Sequence, residues 1–504
     1  MNFIQIFKKH LEKAPYFLIL IPLFLIIHIE QEYQYLIPYS FVYSEIIQLL
    51  LAPLIIFSIS YFLLRDNKKA ALYAAIILII FYFFCDIKDW LHTEHPGLLI
   101  STYTFLLPVV AIILLSAYLG IKKSKGSSAN VFLFMNCIFF LFIVSDIIPL
   151  ITAGSTKKND LGDHSKELYK TYIPCKDCIK PDIYYLIADA FTSSEVLQNE
   201  FNYDNRLLDS FFKKNGFFLI PHSKSNYNLT PFSIASCFNL NYLAGLDYSK
   251  DFYIKEYLPG VSSVYSSELI PILKKEGYQI INHSTFNING HPASIKPFDI
   301  YDIYSLYQRH NIFKKINTDI GWLIKQTLNI HVPYQDDPEY VKQKDIHFEK
   351  TFNALLRTSI SPSEQPRFIY GHLVLPHLPS AFDSLGNRIK PASNSSTKKS
   401  PKERYIEVAI LTRKKLMQII RSIILNSKRP ALIIVQGDHG FRFPDKEKQE
   451  LEFANLSAMY FYNKDYRLLH DSLSNVNTFR IVLNTFFKKN YPLLKDTSYY
   501  LQYK

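Results

Sequence analysis

Two acidic residues stand where an open parallel sheet would hold a ligand. The apolar run Ile183-Tyr184-Tyr185-Leu186-Ile187-Ala188 ends in Asp189, and Ala431-Leu432-Ile433-Ile434-Val435 runs through Gln436 and Gly437 into Asp438-His439-Gly440. In such sheets ligands gather beyond the carboxyl ends of the strands. A lone carboxylate there is often a turn residue, and Asp189 could cap a helix beginning near Ser193 or Ser194. Asp438-His439 is more specific, because an adjacent acid and imidazole followed by glycine let the backbone turn tightly around an ion. Two Asp and one His make a mixed oxygen and nitrogen set that suits one divalent cation, Zn2+ or Mn2+, and leaves a place for a fourth oxygen.

The segment Asn226-Tyr227-Asn228-Leu229-Thr230-Pro231-Phe232-Ser233-Ile234-Ala235-Ser236 offers that oxygen. Proline disfavours helix in the residue before it yet fits the first helical position, so Thr230 is expected as an N-cap at the positive end of a helix. Helix N-termini are where phosphate oxygens bind. A hydroxyl there, next to a divalent cation, has a lowered pKa and can attack phosphorus or sulfur. Thr230 could equally do no more than cap its helix; the company of Asp189, Asp438 and His439 favours the nucleophile. Ser233 and Ser236 are weaker candidates, one and two turns into the same helix.

The elements that must position these residues follow from hydrophobic patterning. From Pro181 onward, short apolar runs at Ile183–Ala188, Tyr278–Ile281, Phe368–Leu375, Ala431–Val435 and Ala458–Tyr462 read as strands buried on both faces. Helical patterns lie between them, at about 194–214, 263–275, 340–358, 402–427 and 477–489, several ending in a Lys-rich turn followed by Gly or Asn. The expected fold of residues 181–504 is a doubly wound α/β domain. The stretch 387–403 reads as a surface loop, and Asn475–Arg480 as entry to the last helix with Asn477 or Thr478 near its cap. There is no Walker-type phosphate loop and no GxGxxG.

Ahead of this domain, residues 1–152 hold five uncharged stretches, at 14–29, 46–64, 70–85, 96–121 and 126–145. Each reads as a membrane span; 14–29 and 70–85 are short for a hydrocarbon core of about 20 helical residues and must borrow flanking positions. Lys8, Lys9, Lys13, Arg65, Lys68, Lys69, Lys122, Lys123 and Lys125 fall on one side and only Lys88 on the other. The positive-inside bias puts the N-terminus in the cytoplasm and residues 181–504 outside it, joined by a linker over 153–180. No signal-peptide cleavage pattern follows the first span. Asp146, near the outer end of the fifth, can mark a functional path or reach headgroup water.

The net charge of +12 divides into +1 for residues 1–152 and +11 for the remainder. A basic domain beside a bilayer favours anionic headgroups, or is no more than a soluble surface, and nucleic acid is excluded as a partner outside the cytoplasm. Cysteine is too sparse for a disulfide scaffold. For Cys175-x-x-Cys178 a local disulfide is expected over redox chemistry, and a zinc site there lacks two further ligands.

An Asp closing the first strand, a Thr about 40 residues on and a late Gly-Asp-His-Gly resemble the alkaline phosphatase and sulfatase superfamily over roughly Pro181 to the C-terminus. With five spans in front, the chain is similar to its membrane-bound branch, the lipoteichoic acid synthase-like phosphoglycerol transferases and the lipid A phosphoethanolamine transferases. The resemblance implies Asp189, Thr230, Asp438 and His439 as ligands of one metal, with Thr230 forming a phospho-threonine from a phospholipid donor. It also implies that His372 and His377 contact the phosphoryl group or leaving oxygen, though either could be a structural histidine. Arg442 could reach a phosphate oxygen or lie on the surface.

The chain departs from the family where Asp189 replaces the usual Glu, and where no second histidine follows Asp438-His439 in the manner of the phosphoethanolamine transferases. Cys237 is followed by Phe238-Asn239-Leu240-Asn241, not by the context a sulfatase needs for its formylglycine. The resemblance therefore implies a transferase of the bacterial cytoplasmic membrane, moving phosphoglycerol or phosphoethanolamine to an envelope glycan or lipid. A phosphodiesterase or phosphatase using water, and a non-catalytic lipid-binding module, remain alternatives.

Overall fold

The computed structural model describes residues 3–32, 39–95, 97–152, 167–246, 254–295, 316, 338–389 and 399–502. They fall into two compact units, one helical and N-terminal, the other built on a sheet.

The helical unit opens with α1 (Phe3–Leu11) and α2 (Phe17–Glu32), followed by α3 (Tyr39–Leu64), α4 (Asn67–Glu94), α5 (Tyr103–Lys123) and α6 (Ala129–Thr152). Among the described residues four helices, α3 to α6, are long and apolar enough to cross a membrane. The segment expected as the first span is shorter, a 16-residue helix. The short apolar run at 70–85 does borrow its flanks, which carry α4 to 28 residues. Asn136 of α6, 1% exposed, accepts from Phe17 N at 2.7 Å and donates to the carbonyls of Leu11 and Ala14 at 2.8 Å. One buried amide thus satisfies backbone groups that the α1–α2 turn would otherwise orphan. Asp146 pairs with His28 of α2 at 2.9 Å instead of reaching out alone.

The second unit carries β1 (Asp182–Ala188), β2 (Phe218–Leu219), β3 (Gln279–His283), β4 (Arg367–Leu373), β5 (Ala431–Gln436) and β6 (Ser457–Phe461) in the order β2-β6-β5-β1-β4-β3. β1 lies at the centre, parallel to β4 and β5, and β3 continues the parallel set beside β4. The sheet is mixed, not wholly parallel as expected: β6 runs antiparallel to β5, and β2, which the patterning did not mark, antiparallel to β6. The connection from β5 to β6 carries Asp438 and His439 and includes a 3-10 helix at Lys446–Phe453.

Successive residues of β1 serve opposite faces. Tyr185 packs against Tyr370, Phe238 and Phe479 with ring centroids 5.0–5.7 Å apart. Tyr184, Leu186 and Ala188 join the other core, with Phe348, Leu355, Val408, Leu416 and Ile420. These last come from α13 (Pro338–Ile360) and α14 (Pro401–Asn426). Ser400 opens α14 with a capping box to Glu403, and residues 390–398 of the expected surface loop lie outside the described residues.

Two long helices expected from the pattern are each two. The 194–214 stretch is α8 (Ser194–Phe201) and α9 (Arg206–Lys214), parted where Asn202 takes a left-handed conformation at φ 50°. The 263–275 stretch is the end of α11 (Ile254–Tyr265) followed by α12 (Leu269–Lys275). The last helix, α15, spans Thr478–Phe487; Asn477 precedes it without a side-chain cap and donates instead to Leu494 O at 2.8 Å.

Residues 153–166 of the expected linker are outside the described residues, but 167–180 are strapped to the sheet unit. The helix α7 (Glu167–Thr171) starts the strap. Tyr169 N donates to Glu268 at 2.7 Å. Glu276, 1% exposed, accepts from Tyr172 Oη at 2.6 Å and Cys175 N at 2.8 Å and pairs with Lys180 at 3.1 Å. Cys175 and Cys178 are joined by a disulfide. Removing one partner of a buried charge network is costly. Glu276→Ala should therefore speed tryptic cleavage after Lys170 of the full-length protein by at least about tenfold; an unchanged rate would show the strap held by other contacts.

Candidate active site

The loops that leave β1 and β5 meet at one point. Asp189 follows β1 directly, and Asp438-His439 follows β5 after Gly437; the three are 7%, 0% and 0% exposed. His439 Nε2 lies 3.7 Å from Asp189 Oδ1 and 3.7 Å from Asp438 Oδ2. Its Nδ1 is 2.7 Å from Gly440 O, an acceptor only, so Nδ1 carries the proton and Nε2 offers its lone pair to the two carboxylates' side. Asp189 Oδ1 and Asp438 Oδ2 are buried and have no hydrogen-bond partner among the described residues. Asp189 does not cap α8, because Ser193 Oγ does so by accepting from Val196 N at 3.3 Å.

The two loops are tied to each other. Ala190 sits in the left-handed region at φ 60°, which aims its N–H at Asp438 Oδ1, 3.0 Å away, while Tyr405 Oη donates to its carbonyl at 2.7 Å. The chain bends at Asp438-His439, and neither Gly440 nor Gly437 takes a positive φ. Their role is close approach: a Cβ on Gly437 would lie 2.5 Å from Phe191 O, and one on Gly440 2.5 Å from Ala454 O. Beneath them Asn475 donates to Gly437 O at 3.0 Å, and Asn455 donates to the same carbonyl. Gln436 reaches Asn475 and Thr478 at 3.2 and 3.0 Å.

The helix α10 spans Thr230–Phe238 and is buried throughout. Leu229, not Thr230, holds the cap position, so Thr230 is the first helical residue and Pro231 the second. A hydroxyl one place into the helix has no cap bond to make, and Thr230 Oγ1 is buried without a hydrogen-bond partner among the described residues. Ser233, on the same face three residues on, donates to Asp438 O at 2.6 Å, which fixes the first turn of α10 against the β5 loop. Ser236 donates to Ser233 O at 2.8 Å. Both serine hydroxyls are thus spent on backbone carbonyls while Thr230 keeps its own.

His372 lies within β4, 1% exposed, with Nδ1 2.9 Å from Tyr370 Oη and Nε2 3.8 Å from Asp189 Oδ2. His377, half-buried, lies beyond the strand; its N donates to Asp189 O at 2.9 Å. Arg442 Nη1 is 3.5 Å from His377 Nε2, and Nη2 is 3.3 Å from His439 Nε2 and from Asn228 O. Arg442 therefore faces the site. Burial alone would raise the Asp189 pKa, but His377, then His372 and His439, outweigh it and hold the carboxyl well below the usual carboxylate range. Burial pushes His377 well down, and Lys344 pushes it further.

Ligand-capable atoms of Asp189, His377 and His439 lie within 4.8 Å of one another, as do those of Asp189, His372 and Asp438. Buried oxygens without partners and an imidazole lone pair facing them are the arrangement a divalent cation satisfies. Cys237 is buried with its thiol pushed up to about 12 by burial, and holds no place in this chemistry. The patterning missed Lys344, 2% exposed, whose Nζ lies 3.2 Å from His377 Nδ1 and donates to His377 O at 2.6 Å. It also missed Ala190, Tyr370 and Tyr405, for which no local signal exists.

No protein-family model matches the chain, and no curated protein matches it. Solved structures resemble it at low identity. The integral membrane lipooligosaccharide phosphoethanolamine transferase A (EptA) of Neisseria meningitidis is 12% identical, over 92% of this chain and 94% of that one, with a TM-score of 0.35. The C-terminal periplasmic domain of phosphoethanolamine transferase EptC from Campylobacter jejuni is 12% identical, over 62% and 91%, at 0.34. The corresponding Escherichia coli EptC domain in complex with Zn is 10% identical, over 64% and 90%, at 0.37. Likenesses of this size decide neither fold nor activity, which rest on the sheet and on the side chains described above.

Proposed function

We propose that this chain is a membrane-anchored, metal-dependent transferase that moves a phosphoglycerol or phosphoethanolamine group from a phospholipid to an envelope glycan or lipid through a phospho-threonine. One observation carries the reading: Thr230 Oγ1, Asp189 Oδ1 and Asp438 Oδ2 are all buried without hydrogen-bond partners among the described residues. An unsatisfied buried polar atom costs about 1–3 kcal/mol. Two of them face His439 Nε2, and Ser233 ties the first turn of the helix that Thr230 opens to Asp438 O at 2.6 Å, so one ligand could answer all three. Asp189, Thr230, Asp438 and His439 would hold a divalent ion, Zn2+ or Mn2+ by donor type. When bound, the ion supplies charge neutralisation for the transferring oxygens and acidifies a neighbouring hydroxyl.

The chain's own groups do the remainder. Thr230 Oγ attacks phosphorus and the bond to the diacylglycerol oxygen breaks. His377 gives that oxygen a hydrogen bond, and the proton shed by Thr230 Oγ reaches it through solvent. An acceptor hydroxyl then attacks the phospho-threonine, its proton leaves, and Thr230 Oγ is released. Arg442, a rigid fork of donors, holds the non-bridging oxygens in both steps. The N-terminal helices keep the site near its lipid donor, raising effective concentration without new contacts. The basic loops support a cytoplasmic N-terminus in a bacterial cytoplasmic membrane and an outer catalytic unit.

The test is labelled phospholipid with full-length protein in detergent or nanodiscs, followed by mapping of the trapped phospho-enzyme. The label is expected on Thr230, with equimolar diacylglycerol. A label on Ser233 or Ser236 would overturn the nucleophile. Release of headgroup phosphate to water with every acceptor offered would favour the hydrolase, and neither metal nor release would favour a lipid-binding module. Chelation should abolish the reaction, about 100-fold or more, and added Zn2+ or Mn2+ restore it.

A further inference from the structure

Two of the histidines at the site are held in opposite tautomers. His439 gives its Nδ1 proton to Gly440 O at 2.7 Å, which leaves Nε2 as a ligand. His377 is held the other way round. Lys344 Nζ lies 3.2 Å from His377 Nδ1, and an ammonium has hydrogens to give and no lone pair to offer. A neutral imidazole accepting at Nδ1 must carry its proton on Nε2. Arg442 Nη1 near that Nε2 is at 3.5 Å, the outer limit of a hydrogen bond, and does not compete with the shorter contact.

We propose that Lys344 is a positioning residue: its ammonium occupies the Nδ1 lone pair of His377, so that His377 presents Nε2–H to the phosphoryl oxygens and stays off the metal. The proposal rests on the transfer reading above for its consequence, though not for its geometry. Without it His377 is ambiguous, because its ligand-capable atoms stand as close to Asp189 and His439 as those of a metal ligand would. The lysine is built in for the purpose. It is 2% exposed on α13, and its second bond, 2.6 Å to His377 O, grips the same residue from its backbone side. The next residue, Asp345, accepts from Ser380 Oγ at 2.8 Å and Ala381 N at 3.1 Å, so adjacent residues of α13 hold the histidine and the loop that follows it. His377 N in turn donates to Asp189 O at 2.9 Å, which keeps the ring beside the carboxylate.

The tautomer is read directly by 15N NMR on the full-length protein in lipid, labelled at histidine only, with the His377 signals assigned by their loss in His377→Gln. The resting wild type should show His377 protonated at Nε2 and accepting at Nδ1. Lys344→Met, of similar volume, should mix the tautomers or reverse them, and Lys344→Arg should restore the wild-type pattern. With zinc alone as probe, His377→Gln should bind within about threefold of wild type, whereas loss of a true ligand would cost far more. In turnover, Lys344→Met should lower kcat by about 10- to 100-fold with little change in KM. A wild-type His377 protonated at Nδ1, a tautomer indifferent to Lys344→Met, or a large loss of zinc affinity in His377→Gln would each overturn the proposal. Because the spectra are taken without substrate, a chain that proves inactive leaves the tautomer result standing, and failure here leaves the transfer reading intact.

Discussion

Thr230→Ala should abolish diacylglycerol release, by about a thousandfold or more, while the protein stays folded. The expectation of an intact fold follows from the hydroxyl's surroundings: it makes no hydrogen bond among the described residues, so its removal orphans no partner there. The helix start is also insensitive, because Thr230 does not cap it. The variant's apparent Tm should lie within a few degrees of wild type, and metal, counted per chain, should still bind through Asp189, Asp438 and His439 with reduced affinity. Thr230→Ser keeps the nucleophilic oxygen and should retain a measurable fraction of the rate. A Thr230→Ala protein with a tenth of wild-type release or more would remove the covalent intermediate from the scheme. Ser233→Ala separates the two hydroxyls, since it costs about 1 kcal/mol by loosening Asp438 O yet leaves the label on Thr230.

Gly440→Ala and Gly437→Ala should be the most damaging single-methyl changes in the sheet unit. Each new Cβ would fall 2.5 Å from a backbone carbonyl, Ala454 O for the first and Phe191 O for the second, and backbone cannot swing aside as a side chain does. The loop must shift, and it carries Asp438 and His439 with it. A loss of about 3 kcal/mol or more is expected, read as a drop of several degrees or more in apparent Tm together with weakened zinc binding. Gly120→Ala is the control: nothing lies within 4 Å of its Cβ position and it sits in a helix, where alanine is the better residue. Equal melting of Gly440→Ala and wild type would mean that the loop relaxes freely and that its packing does not hold the site.

The parts of this site that could be read from sequence are those signalled by a change of polarity along the chain. Asp189 and Asp438 each follow an apolar run that can only be a buried strand, and Pro231 marks the start of α10 within one residue. The orientation of β6 was not legible, because an apolar run buried on both faces looks the same in either direction. The two-residue β2 is too short for any period. Asn202 breaks α8 from α9 through a left-handed turn that asparagine tolerates but does not require. Lys344 was invisible for a different reason: a lysine in an amphipathic helix reads as a solvent-facing residue, and only the fold brings His377 above it. Likewise Gly440 suggested a turn, whereas what excludes a side chain there and at Gly437 is the close approach of other backbone.

The residues that would grip the ion hang from neighbouring strands, Asp189 from β1, Asp438 and His439 from β5, with His372 on β4 at the other flank. Adjacent strands are ruled about 4.8 Å apart by their hydrogen bonds. The distance between the two grips is thus inherited from the sheet and exists before any ion arrives. Uptake should then be a plain mass-action event with no ordering step to drive. Heat stability should climb with the logarithm of free zinc and the far-UV circular dichroism should stay still, unlike a finger domain that folds around its metal.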